Sequence, residues 1–212
     1  AKVISVAPTR TRAAAVLAGA LAATRLHGLR TNRDLLVNVL RHPAFLDGAT
    51  DTAFFDTYGL DSLSAPLAGE RAVRLSVIVA AVAASAANRA AADALADIPS
   101  GWRNLVSDHQ HKEFRDAAGA SHRVAYRFGR TGLALPDDPG VTVRSTGTAQ
   151  VLLADDGVET TFLVARYGDE VYVDSPLGAV ALTVVPRFPE PDSVVAEGSL
   201  LAPMPGAVIR LG

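Results

Sequence analysis

Three histidines, His109, His111 and His122, offer the spacing most suggestive of chemistry. Two of them stand two apart, so on a strand they would face one side and could hold a metal with a third ligand. Near the start of an exposed strand, solvated histidines are the simpler reading. A metal-dependent enzyme built on this trio is nevertheless one alternative. Asp155-Asp156 could be a carboxylate pair for acid–base work; followed by Gly157, it reads better as a hairpin turn. No Gly-x-Ser-x-Gly elbow and no glycine-rich phosphate loop with a lysine occurs. Cysteine is absent, which excludes disulfides and thiolate metal sites and fits a reducing cytoplasm. Arg123, Arg127, Arg130 and Arg144 could line a basic strip, but outward charges on strands serve solvation first and partners second.

The segment Pro99-Ser100-Gly101-Trp102-Arg103-Asn104-Leu105 holds the sole tryptophan. Gly101 breaks regularity just before a large aromatic and a guanidinium. Spacing alone favours a loop whose Trp102 folds back on the core; the sharper reading is an exposed anchor, since Trp and Arg are enriched at binding hot spots.

Whatever positions that loop must begin with Glu70–Ile98. This stretch has no internal Gly or Pro, is dominated by alanine, and is bracketed by Gly69 and Pro99, so it is predicted to be one helix over 70–98. Leu75–Ala87 carries no charge and is apolar on every side, so it should be surrounded. Its thirteen residues span about 20 Å, too short for a bilayer. Ala80, Ala81, Ala83, Ala84, Ser85, Ala86 and Ala87 make it thin.

From His111 onward the period turns alternating. Eight short runs are predicted as strands: 111–116, 122–128, 132–135, 141–145, 149–154, 159–167, 170–174 and 179–185. The short turns between them require antiparallel neighbours, and eight strands can close into a barrel without exposed edges. An eight-stranded barrel has room for little beyond its own side chains. Packing alone therefore favours a helix lying against an open sheet over a helix inside a barrel. An independent barrel that binds an apolar ligand, with a helical appendage outside, is the alternative of another class.

Before the long helix, Ala1–Ala7 alternates like a strand. A helix follows over Arg12–Leu26 with Thr9 as its cap. A second starts at Thr31-Asn32 and ends at Pro43, and Asp51–Tyr58 is one more helical piece. Ser62–Ala68 reads as a linker, as does Pro186–Ser199. The 212 residues suffice for one large domain or two small ones, 49% are hydrophobic, and 20 basic residues against 22 acidic make nucleic acid an unlikely partner class. There is no signal peptide pattern, and both ends read as strands cut short, so a piece of a longer polypeptide is expected.

Several runs carry a family resemblance. Ala1-Lys2-Val3-Ile4, Ala7-Pro8-Thr9-Arg10, His27-Gly28-Leu29-Arg30-Thr31-Asn32, Arg41-His42-Pro43-Ala44-Phe45, Gly48 and Asp51-Thr52-Ala53-Phe54 resemble the C-terminal end of a biotin carboxylase domain. The long helix, the Gly-Trp-Arg-Asn loop and the eight strands that follow resemble the BT, or mediating, domain. That domain occurs in the α subunits of methylcrotonyl-, propionyl- and geranyl-CoA carboxylases. Ala202-Pro203-Met204-Pro205-Gly206 resembles the opening of a biotin carboxyl carrier domain.

The resemblance implies residues 1–60 as the end of biotin carboxylase and 61–190 as the BT domain, with helix 70–98, hook 99–110 and barrel 111–188. Residues 191–212 would be linker and first carrier strand. It implies a helix inside the barrel, an α+β fold, and a hook of Gly101, Trp102, Arg103, Asn104 and Leu105 that docks on a carboxyltransferase β subunit. Biotin, ATP and Mg would act in the holoenzyme, outside this segment. Catalytic residues are expected to be absent here, and a large hetero-oligomer in the cytoplasm is the expected setting.

Overall fold

The computed structural model describes residues 2–95, 98, 100–102, 104–105, 108–129 and 132–188. The first block is helical: α1 (Arg10–Ala23), α2 (Arg33–Arg41), α3 (Pro43–Leu46), α4 (Phe54–Tyr58) and α5 (Leu60–Leu63). Thr9 Oγ1 accepts the Arg12 N–H at 3.3 Å, as its capping position requires. α1 ends at Ala23 rather than Leu26. The Thr24 backbone turns extended (φ −74°, ψ 128°), and its hydroxyl bonds back to the Ala20 carbonyl at 2.7 Å. Residues 2–7 form no strand: a strand needs a ladder, and no described residue supplies one, leaving Val3, Ile4 and Val6 exposed.

α6 (Glu70–Ala90) is the spine of the structure, 21 residues and about 31 Å long. Around it run β1 (Gln110–Asp116), β2 (Ser121–Gly129), β3 (Gly132–Ala134), β4 (Val141–Thr146), β5 (Gln150–Asp155), β6 (Val158–Tyr167), β7 (Glu170–Ser175) and β8 (Gly178–Val184). The order is β3-β2-β1-β8-β7-β6-β5-β4, antiparallel throughout. β1 therefore pairs with β8, which joins the first and last strands of the meander. Among the described residues, the seam lies between β3 and β4, which come within 8 Å of each other without sharing a ladder. A bulge between Val143 and Ser145 bends β4 beside that seam. The barrel is thus nearly closed.

Every residue of α6 from Leu75 to Ala83 is buried, together with Ala72 and Ser85. Nine consecutive buried residues cover two and a half turns, so no face of this section meets water. α6 approaches β2, β4, β5, β6, β7 and β8. Its Val77, Ile78, Val79 and Val82 share one core with Phe114, Tyr126, Val151, Leu153, Phe162, Val173 and Leu182 from the strands. The helix inside the barrel overturns the preference that packing alone suggested. It also removes the apolar-ligand alternative, because helix side chains fill the interior that such a ligand would need.

α6 stops at Ala90, not Ile98. Beyond Ser85 the strands no longer enclose it, and 88–95 is exposed. Alanine propensity alone does not hold a short helix in water, so the helix lasts little longer than its wrapping. Leu95 then takes φ 58° and turns the chain aside.

The first block is tied to the barrel through the linker. Asn38 Nδ2 donates to the carbonyls of Leu63 and Ala65, both at 2.9 Å, and the Leu67 N–H donates to Asp34 Oδ2 at 3.1 Å. Ala68 then passes the β7–β8 turn so closely that a Cβ on Gly178 would sit 2.9 Å from its Cα. Gly178 also holds φ 128°, so a side chain there is refused twice.

Replacing the fully buried Ala81 by leucine should lower unfolding stability by about 1–3 kcal/mol, because the barrel has no spare volume to take three more carbons. Chemical denaturation measures this directly; an unchanged midpoint would mean the interior is not filled.

Candidate functional site

The two ends of α6 carry different machinery. At the N-terminal end, Arg71 and Arg74 occupy the first turns, where the helix dipole disfavours positive charge. Aspartates answer them. Arg71 Nε donates to Asp155 Oδ2 at 2.6 Å, Arg74 Nη2 donates to Asp155 Oδ1 at 3.2 Å, and Arg74 Nη1 donates to Asp138 Oδ1. Asp155 is buried at the end of β5. Burial opposes its ionisation, but the hydrogen bonds and charges of Arg71 and Arg74 outweigh that and hold it below the usual carboxylate range. Asp156 (φ 51°) and Gly157 (φ 83°) form the two-residue turn read from the sequence. Asp155 is therefore an anchor for the helix, a role its position beside a turn concealed.

At the C-terminal end a loop connects α6 to β1. Ser100 and Gln110 clasp its base: Gln110 Nε2 donates to the Ser100 carbonyl at 2.8 Å, and Ser100 Oγ donates to Gln110 Oε1 at 3.4 Å. Gly101 adopts φ 73°, and a Cβ there would lie 2.1 Å from Gln110 Nε2. Glycine is thus required both for the turn and for the clasp. Beyond it, Trp102 is 62% exposed and Leu105 81%, with Leu95 at 75% on the approach. Trp102 does not fold back on the core, contrary to the reading from spacing. The clasp shortens the loop's base and leaves its aromatic tip outside. Asn104 is exposed as well; Arg103 lies outside the described residues.

The remaining candidates disperse. His122 Nε2 lies 2.8 Å from Asp116 Oδ2, while His111 Nε2 lies 3.9 Å from Asp108 Oδ2. Among the described residues no three potential ligands converge on a metal position. Arg144 pairs with Glu159 at 3.3 Å, Arg123 and Arg127 are exposed on β2, and Arg130 lies outside the described residues. One contact had no sequence signal at all. His27 Nε2 sits 2.9 Å from Asp174 Oδ2 on β7, and its ring stacks on Tyr172 with centroids 4.6 Å apart. It joins the block before the linker to the barrel across 147 positions.

No helix among the described residues is long and apolar enough to cross a membrane. Two family models match the chain. The one described as methylcrotonyl-CoA carboxylase, alpha-subunit, BT domain matches residues 72–187. The one described as biotin carboxylase C-terminal domain matches residues 1–57. Pyruvate carboxylase 1 of Caenorhabditis elegans is 46% identical over 57 residues, which are 27% of this chain and 5% of that relative. The chain therefore spans only a small part of that protein's length.

Because Asp155 is more acidic folded than unfolded, its contribution is complete above the ordinary aspartate range near pH 4 and fades as pH falls through its lower folded value. Asp155→Asn should flatten this part of an acid-unfolding curve and cost about 1–3 kcal/mol at neutral pH. An unchanged curve would show that the anchor contributes nothing.

Proposed function

Since the chain belongs to the family of the methylcrotonyl-CoA carboxylase alpha-subunit BT domain, with a biotin carboxylase C-terminal segment ahead of it, we propose that it mediates subunit docking in a biotin-dependent acyl-CoA carboxylase. The observation that carries this reading is the hook: an exposed tryptophan on a clasped loop at the end of a rigid helix. In this reading residues 1–60 end the biotin carboxylase domain, 61–190 are the mediating domain, and 191–212 lead into the biotin carrier. The holoenzyme carboxylates biotin with ATP and bicarbonate, then passes the carboxyl group to an acyl-CoA on the carboxyltransferase β subunit. The work of this segment is non-catalytic: it holds the two active centres at a fixed spacing. A cytoplasmic setting accords with the lack of cysteine.

The residues present do not supply the biotin attachment. The only lysines are Lys2 and Lys112, and neither neighbours the single methionine, Met204. No chemical step is therefore assigned to this segment. Its contribution is mechanical. Trp102 offers a large rigid surface with little side-chain entropy to lose on binding, and Leu105 and Asn104 flank it. Gly101 and Gln110 preset the loop, which lowers the ordering cost of docking. Gly101, Trp102, Arg103, Asn104 and Leu105 are the proposed partner-binding residues.

Trp102→Ala in the intact α subunit should weaken association with the β subunit at least about tenfold. Thermal stability and ATP-dependent carboxylation of biotin by the α subunit should persist, because Trp102 is not part of the core. Co-purification at the normal ratio would reject the docking assignment.

A further inference from the structure

A cavity of about 650 Å³ opens at the end of the barrel where α6 leaves it. It exists because β1 and β8 pair where Phe114–Asp116 meets Leu182–Val184, with one further bond from the Val185 N–H to the Glu113 carbonyl at 3.0 Å. Toward Gln110 the two strands part, and the gap reaches inward to Ala84 and Asn88 of α6. Four cations line it: Lys112, Arg166, and the exposed Arg123 and Arg187. On β1, Lys112 shares the inward face with the core residue Phe114 and is half-buried. On β6, Arg166 lies on the same side of the strand as the core residue Phe162, but near the strand's end, where it is exposed at the cavity mouth.

Neither Lys112 nor Arg166 has a carboxylate partner among the described residues. Arg166 Nε donates to the Gly168 carbonyl at 2.8 Å, which leaves its two terminal nitrogens available. Among the described residues none gives Lys112 a hydrogen bond or an ion pair. The acids along the cavity are engaged or turned away. Asp108 Oδ1 accepts the His109 N–H at 2.7 Å and its Oδ2 faces His111, while Glu113 lies on the other face of β1, opposite Arg123. The Lys112 ammonium is held below its usual range, by burial first and by the charge of Arg166 second. A half-buried ammonium beside a like charge raises the energy of the fold unless an anion lies between them. An outward-facing lysine would meet no such penalty, yet one of only two lysines in the chain is placed here.

We propose that this cavity is an oxyanion site, taking a phosphate or carboxylate group of a small molecule between the Lys112 ammonium and the Arg166 guanidinium. The fork of Arg166 suits two oxygens of such a group, and Lys112 supplies a point charge. The site lies at the root of the hook, but its existence does not depend on what the hook docks against.

Titration calorimetry of the intact native protein tests it, with inorganic phosphate and acetate as probes and chloride at matched ionic strength as the reference. Lys112→Met and Arg166→Met should each weaken the bound probe at least about tenfold. The difference between wild type and variants isolates this cavity from any other phosphate site in the protein. Phosphate binding lost in the variants identifies a phosphate ligand, and acetate binding lost alone identifies a carboxylate ligand. In chloride alone, Lys112→Met should melt at the same temperature as wild type or higher, because it removes an unpaired cation. Equal probe affinity in wild type and variants would overturn the proposal. So would a Lys112→Met variant that melts lower in chloride, since the ammonium would then be satisfied within the chain.

Discussion

A helix with no solvent face is placed inside a barrel whose interior is normally just large enough for its own side chains. Everything else in the structure follows from how that conflict is resolved. α6 contributes alanines at 80, 81, 83 and 84 and a serine at 85, and reserves bulk for Leu75, Val77, Ile78, Val79 and Val82. The strands answer with Phe114, Phe162, Leu153 and Leu182, all essentially without exposure. Helix and barrel are each incomplete alone. The strands would enclose a void, and the helix would expose about two and a half turns of apolar surface. Folding therefore joins the two in one cooperative unit.

That mutual dependence sets what the ends of the helix can do. The end bearing Arg71 and Arg74 is fixed by Asp138 and Asp155, which compensate charges that the helix dipole would reject. The helix is thereby held against sliding along the barrel axis. The far end releases the chain into a clasped loop with its aromatic outside. In the proposed reading the loop is a docking element, which gains precision from a rigid support, and the support is the core itself. The block before the linker reaches the same body through Asp34, Asn38 and His27. The arrangement suits a segment that keeps two larger bodies at a defined separation.

Much of this was legible from residues 70 to 185. The uncharged alanine run announced burial on every side, and paired turn residues such as Asp156-Gly157 marked the hairpins. The enclosure itself was not legible from packing reasoning, because residue volumes say that a thin helix fits but not that it enters. The family resemblance supplied that step. Helix length was overestimated: 91–95 keeps helical composition, but the wrapping ends before it. The exposure of Trp102 was also hidden, since one aromatic in a short loop has no period to show its direction. The partners of Asp155 and His27 stand 84 and 147 positions away, a distance no local pattern spans.

The enclosure of α6 is the claim on which the rest stands, and native-state hydrogen exchange addresses it most directly. The amides of Leu75–Ala83 should exchange only through global unfolding, with the same free energy and denaturant dependence as the amides of β5–β8. Exchange of those helix amides through a local opening, while the strands stay protected, would contradict the account.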